Sequence, residues 1–151
     1  MSLSKEPLSW AEFAAVKPEM AKFGEEKLRL NVMYLATVKP DGYPRVHPFT
    51  PFIGSGRLFA FMETTSPKGK DLHRNGKYSI HSLVTDMSGG NGEFQITGKS
   101  FLIQDQASQN IATKSAPYKT SGNYVLFEFK IESCLTNHYI DGKPNVIRWK
   151  V

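Results

Sequence analysis

The chain has 151 residues, 40% of them apolar and 22% charged, proportions that fit one folded domain, 1–151, with a real core. No apolar run approaches the roughly 20 residues that span a bilayer, and the opening MSLSKEPLSWAEF lacks the apolar centre of a secretory signal, so no membrane contact and a cytoplasmic setting are expected. Cys134 is the only cysteine and the histidines 47, 73, 81 and 138 do not stand at metal-ligand spacing, so an internal disulfide is excluded and no metal is expected.

The first thirty residues read as helical. Ser9 and Glu12 in S-W-A-E fit a capping box, and Pro18 interrupts the helix and opens a second one reaching about residue 30. This segment, 1–30, is expected to pack on the barrel through Trp10, Phe13, Met20 and Phe23. NVMYLATV (31–38) reads as a strand, closed by the turn KPDG. YPRVHPFTPF (43–52) is extended, but Pro44, Pro48 and Pro51 cannot donate to a ladder, which assigns part of it to a sheet edge or a bulge. GSG (54–56) turns the chain into a third strand, 57–64. A short helix over 68–75 comes next, with Gly76 as its C-cap.

KYSIHSLVT (77–85) is the fourth strand, DMSGGNG (86–92) a loop and EFQITGKSFLI (93–103) the fifth strand. The polar stretch 104–116 is compatible with a helix. NYVLFEFKIESCL (123–135) is a long sixth strand with Val125, Phe127, Phe129 and Ile131 on one face. HYI (138–140), DGKP and NVIRWKV (145–151) form a terminal hairpin. Antiparallel strands with short turns, two to three helices and no βαβ rhythm indicate a mainly β fold, a closed or nearly closed barrel with flanking helices. In RLFAFM, Leu58, Ala60 and Met62 alternate with Phe59 and Phe61, so both faces are apolar, and a second subunit is the expected outer cover.

The net charge is +5 and the isoelectric point about 9.3. That admits nucleic acid, but the cations are scattered outside 68–77, with no arginine-rich tract or zinc-finger spacing, and no nucleic-acid partner is expected. In SPKGKDLHRNGKYSI (66–80), Ser66 is placed as an N-cap and Lys68 and Lys70 fall in the first helical turn. Cations there are unfavourable alone and make sense around an anion, phosphate being the usual one. Spacing by itself leaves two readings, a solvated turn and an anion site. No catalytic acid or base stands out, and the catalytic residues are unknown.

Two stretches carry a resemblance. YLATVKPDGYPRVHPF reads strand, D-G-x-P-x-V-x-P, strand. RLFAFMETTSPKGKDLHRNGKYSIHSLV supplies Ser66, Lys68, Leu72, Asn75, Tyr78, Ser79 and Ile80 in the register of an S-x-K-x-x-x-L motif between two strands. In this the sequence resembles the pyridoxamine 5′-phosphate oxidase-like FMN-binding split barrels over residues 29–103. The resemblance implies a homodimer with FMN at the subunit interface. It implies cofactor-binding roles for Arg45, Val46, His47 and Pro48 along the flavin, Phe61 and Met62 flanking its ring, and Ser66 and Lys68 at its phosphate, with Lys70 as an addition. Pro67 stands where the oxidases often carry Arg, Glu93 or Gln95 where they carry a flavin-contacting Gln, and NVIRWKV replaces an arginine-rich end, so pyridoxamine phosphate is not the expected substrate. The expectation is a flavin-dependent oxidoreductase acting on an unidentified small molecule. The alternatives are a reductase using the deazaflavin F420 and a non-catalytic flavin- or haem-binding module.

Overall fold

The computed structural model describes residues 5–151; residues 1–4 of the expected 1–151 unit lie outside them. Two helices open the chain, α1 (Trp10–Val16) and α2 (Pro18–Leu28). The capping box forms as the sequence implies: the Glu12 N–H donates to Ser9 Oγ at 3.2 Å and the Ser9 N–H to Glu12 Oε1 at 2.9 Å. Pro18 occupies the first turn of α2, where a missing N–H costs nothing.

The strands are β1 (Met33–Val38), β2 (Pro44–Phe49), β3 (Phe52–Gly54), β4 (Arg57–Glu63), β5 (Lys77–Ser82), β6 (Glu93–Ile103), β7 (Tyr124–Ile140) and β8 (Lys143–Lys150). Helix α3 (Pro67–Arg74) joins β4 to β5, and α4 (Gln106–Ser115) joins β6 to β7. All pairings are antiparallel, in the order β2-β1-β5-β6-β7-β4-β3, with β8 also on β7. β2 and β3 therefore lie at opposite ends of the path, yet only Thr50 and Pro51 separate them. Three residue steps reach at most about 11 Å, so the sheet must curl until its ends nearly meet. The result is a curled half-barrel, and the proline-rich β2 is an edge strand, as its missing donors require.

The barrel core holds Leu35, Leu58, Ile80, Ile96, Phe127 and Phe129, all nearly inaccessible, and α1 and α2 close one opening with Trp10, Phe13, Met20 and Phe23. One irregularity organises the longest strand. Thr97 pairs with Ser133 and Gly98 with Ile131, so Glu132 is an extra residue in β7. The bulge changes parity: inward positions run 125, 127, 129 and 131 before it, then Cys134 and Thr136 after it. Gly98 is required there, because a Cβ would fall inside the Lys130 carbonyl.

Four expectations need correction. β7 runs unbroken through Thr136 and Asn137, which keep pairing with both β6 and β8, so 138–140 is no separate strand. The α3 C-cap is Asn75, in extended backbone, and its Oδ1 accepts from the Lys77 N–H at 3.0 Å. Gly76 has no positive φ; it is there because its Cβ would sit 2.7 Å from the Ser100 carbonyl oxygen. Ser66 stands at the N-cap position of α3, but its side chain makes no capping bond. The outer face of β4 is covered by the same chain: Phe59 packs with Phe52, Leu126 and Ala112 of α4, and Ile111 and Tyr118 extend that cluster. A second subunit is not needed to bury it.

Candidate anion and cofactor site

The stretch TTSPKG brings the end of β4 into α3, and the edge strand β2 ends beside it. Between them lies a cavity of about 600 Å³ lined by Pro48, Phe49, Thr50, Phe61, Met62, Glu63, Thr65, Ser66, Pro67, Lys68, Tyr118 and Tyr124. Five of the nine expected cofactor residues line it: Pro48, Phe61, Met62, Ser66 and Lys68. One wall is aromatic, with Phe52 stacked on Phe61 at 6.1 Å and edge-on to Tyr118 at 6.0 Å. The Tyr118 hydroxyl accepts the Phe61 N–H at 3.1 Å, which fixes the strand end; burial pushes the pKa of this phenol up. A wall of this kind accepts a planar ring system.

The opposite wall is the start of α3. Its first helical bond is Lys70 N–H to the Ser66 carbonyl at 3.0 Å. The N–H groups of Lys68 and Gly69 come before that bond and have no partner within the helix, as at any helix N-terminus. Pro67 gives up no needed donor at the first helical position. Ser66 is 9% exposed and its Oγ is buried with no hydrogen-bond partner. A buried hydroxyl without a partner costs about 1–3 kcal/mol, and this one lines the cavity beside Lys68. The donor set of hydroxyl, ammonium and helix N–H groups fits a phosphate.

The other four expected residues lie around this centre. Arg45 and His47 alternate toward the barrel side of β2, opposite Thr37 and Leu35, while Val46 faces out at 64% exposure. Arg45 Nε donates to Asp71 Oδ2 at 2.8 Å rather than into the cavity. Asp71, 2% exposed, also accepts from Thr37 Oγ1 at 2.8 Å and Arg74 Nη2 at 3.0 Å. Burial pushes this carboxyl up, but the bonds from Arg45, Thr37 and Arg74 together outweigh it and hold it below its ordinary value. His47 is pushed down by desolvation first, then by the cations Lys68 and Arg45, which keeps its imidazole neutral at pH 7. Lys70 is exposed and lines no part of the cavity.

Sequence reasoning missed Tyr118, Tyr124 and Asp71. The two tyrosines come from the α4–β7 connection and β7, far along the chain and without a local motif. Asp71 looks like one more polar residue of a charged helix until β2 and α3 are brought together. The positions weighed against a flavin-contacting glutamine lie elsewhere. Gln95 lines a second cavity of about 400 Å³ with Thr97, Leu135, Arg148 and Trp149, while Glu93 pairs with His81 Nε2 at 3.3 Å. Trp149 packs against Phe13 at 5.4 Å between ring centres. The loop glycines 89, 90 and 92 do not open a helix, and among the described residues no cluster of metal-binding side chains occurs. Among the described residues no helix is long and apolar enough to cross a membrane.

The sequence profile described as pyridoxamine 5′-phosphate oxidase matches residues 16–138, from the end of α1 to the end of β7. The chain belongs to the pyridoxamine 5′-phosphate oxidase family. Solved structures agree on the fold. A NimC/NimA family protein from Clostridium acetobutylicum is 21% identical, with 85% of this chain and 92% of that one covered and a TM-score of 0.63. A protein of the same organism related to general stress protein 26 of B. subtilis, described as of the pyridoxinephosphate oxidase family, is 17% identical over 85% of this chain and 92% of its own, at 0.62. A heme binding protein from Mycobacterium smegmatis is 13% identical at 0.64; it covers 85% of this chain, which spans only 57% of that protein's length. The sequence has no match among curated proteins. These solved structures thus share the half-barrel with this chain at low identity, and the fold does not fix the ligand.

Proposed function

We propose that the chain is an FMN-binding flavoprotein, an oxidoreductase of this family acting on an unidentified small molecule. The buried, unpartnered Ser66 hydroxyl carries the reading. Ser66 lines the same cavity as Lys68 at the start of α3, and a phosphate bound there would give the hydroxyl the partner it lacks. The aromatic wall of Phe61 and Tyr118 accepts the ring, with Met62 and Pro48 beside it. Bound flavin supplies hydride transfer; the chain supplies orientation, charge and exclusion of water. His47, next in β2 to the cavity residue Pro48, is shifted toward its neutral form and so adds little to the positive charge there.

The basic unit we propose is a homodimer with the cofactor at the subunit interface. The apolar outer face of the sheet supports it: Val46 is 64% exposed and Tyr34, opposite Pro48, is 39% exposed. A haem-binding module is the second reading, favoured by the Mycobacterium smegmatis relative and by His47 as an available axial ligand near the cavity. Titrating the purified protein with FMN, the deazaflavin F420 and haemin separates these. Quenching of FMN fluorescence at a 1:1 ratio is expected. A Soret shift with haemin, or F420 binding, without FMN binding would overturn the flavin reading.

A further inference from the structure

At the far end of α3, away from Ser66, a second group of cations converges on a groove. Lys77 on β5 pairs directly with Lys99 on β6, and Lys99 pairs directly with Lys130 on β7. Three lysines thus stand side by side across three strands. Like charges directly opposite each other destabilise a sheet, so the row needs a reason. Lys39, Arg74, Lys77 and Lys99 line a groove of about 690 Å³, within the range of small-ligand sites.

Carboxylates neutralise the group only in part. Lys39 meets Asp41 at 3.8 Å and Lys99 meets Glu132 at 3.9 Å, both long and exposed. Arg74 shares Asp71 with Arg45. Among the described residues, Lys77 and Lys130 form no ion pair; Lys130 leans over the Phe101 ring at 5.5 Å, with Glu12 in electrostatic reach.

A further observation points to a ligand. Phe101 lines the same groove and is 42% exposed, and Tyr43, next to the groove residue Gly42, is 69% exposed. Cations beside exposed rings match a phosphate attached to an aromatic ring.

We propose that this groove binds a phosphorylated aromatic small molecule of mononucleotide size, independently of the Ser66–Lys68 cavity. Lys77 and Lys99 hold the phosphate, and Phe101 takes the ring. The probes are adenosine 5′-monophosphate, adenosine and inorganic pyrophosphate, titrated calorimetrically at low salt into the intact protein and into Lys77→Gln/Lys99→Gln, Phe101→Ala and Lys68→Ala. The nucleotide is expected to bind and adenosine not. The double lysine variant should lose about tenfold or more in affinity for the nucleotide and for pyrophosphate. Phe101→Ala should weaken the nucleotide and leave pyrophosphate unchanged, and in Lys68→Ala, where the Ser66–Lys68 cavity has lost its cation, both should still bind the groove. Unaltered nucleotide binding in the double variant would overturn the proposal, as would its loss in Lys68→Ala. Binding of a single-stranded oligonucleotide where the mononucleotide fails would reassign the groove to nucleic acid. None of these results depends on FMN, so the flavin reading stands or falls separately.

Discussion

Asp71 shows how one buried side chain can govern a site it does not line. It gathers Thr37, Arg45 and Arg74, and so fixes β1, β2 and α3 relative to each other beneath Lys68. Its folded-state pKa lies below the ordinary 3.8. The stability it contributes is therefore fully present above pH about 4 and is lost as pH falls through the depressed value. Urea unfolding should show a fall in stability below pH 4 that is shallower in Asp71→Asn. An identical slope in the variant would remove Asp71 from this role. At pH 7 the same substitution should cost about 1–3 kcal/mol, since two part-exposed guanidiniums lose a charged acceptor. Ser66 predicts an opposite pattern. Ser66→Ala removes an unpaired buried hydroxyl, so the ligand-free protein should be as stable as wild type or more so, while FMN binding weakens about tenfold. Thermal melts with and without FMN read both effects, and a variant that loses stability without ligand would contradict the reading of Ser66.

At the scale of elements, the β6–β7 bulge sets which side chains enter the core. Gly98→Ala drives a methyl group into the Lys130 backbone carbonyl, which cannot step aside. It should cost at least about 1–3 kcal/mol. Gly122→Ala, with nothing within 4 Å of its Cβ, should stay within about 0.5 kcal/mol. Chemical unfolding of the two variants tests the contrast, and equal effects would sink it. The elements themselves were largely legible. The S-W-A-E cap, Pro18, the proline-rich edge strand and the D-G turn before β8 each have a local cause, and each forms. The bulge was not legible, because Gly98 matters only through Lys130, over thirty residues away. The cover of Phe59 was missed for the same reason: α4 looks merely polar until its Ala112 side meets β4. In the site, Ser66 and Lys68 could be read from a contiguous motif, while Tyr118 and Asp71 required the fold.

For the whole molecule, α1 and α2 are part of the core rather than an appendage. Trp10, Phe13, Met20 and Phe23 are each at most 7% exposed. Four such side chains at about 1.5–3 kcal/mol each rival the roughly 5–15 kcal/mol of net stability that a domain has. A chain starting at Arg29 should therefore fail to fold cooperatively; a stable, soluble product would refute this. Light scattering should give about twice 17.0 kDa for the proposed dimer, and a monomer with full flavin affinity would exclude it. The most direct measurement compares FMN and riboflavin binding to wild type and Lys68→Ala by flavin fluorescence. A charge-assisted bond is worth about 1.5–3 kcal/mol, so the variant should bind FMN about 10- to 150-fold more weakly. Riboflavin, which has no phosphate, should bind both proteins alike. Unchanged FMN affinity in Lys68→Ala would mean that the cations at the start of α3 are a solvated turn and that no phosphate is held there.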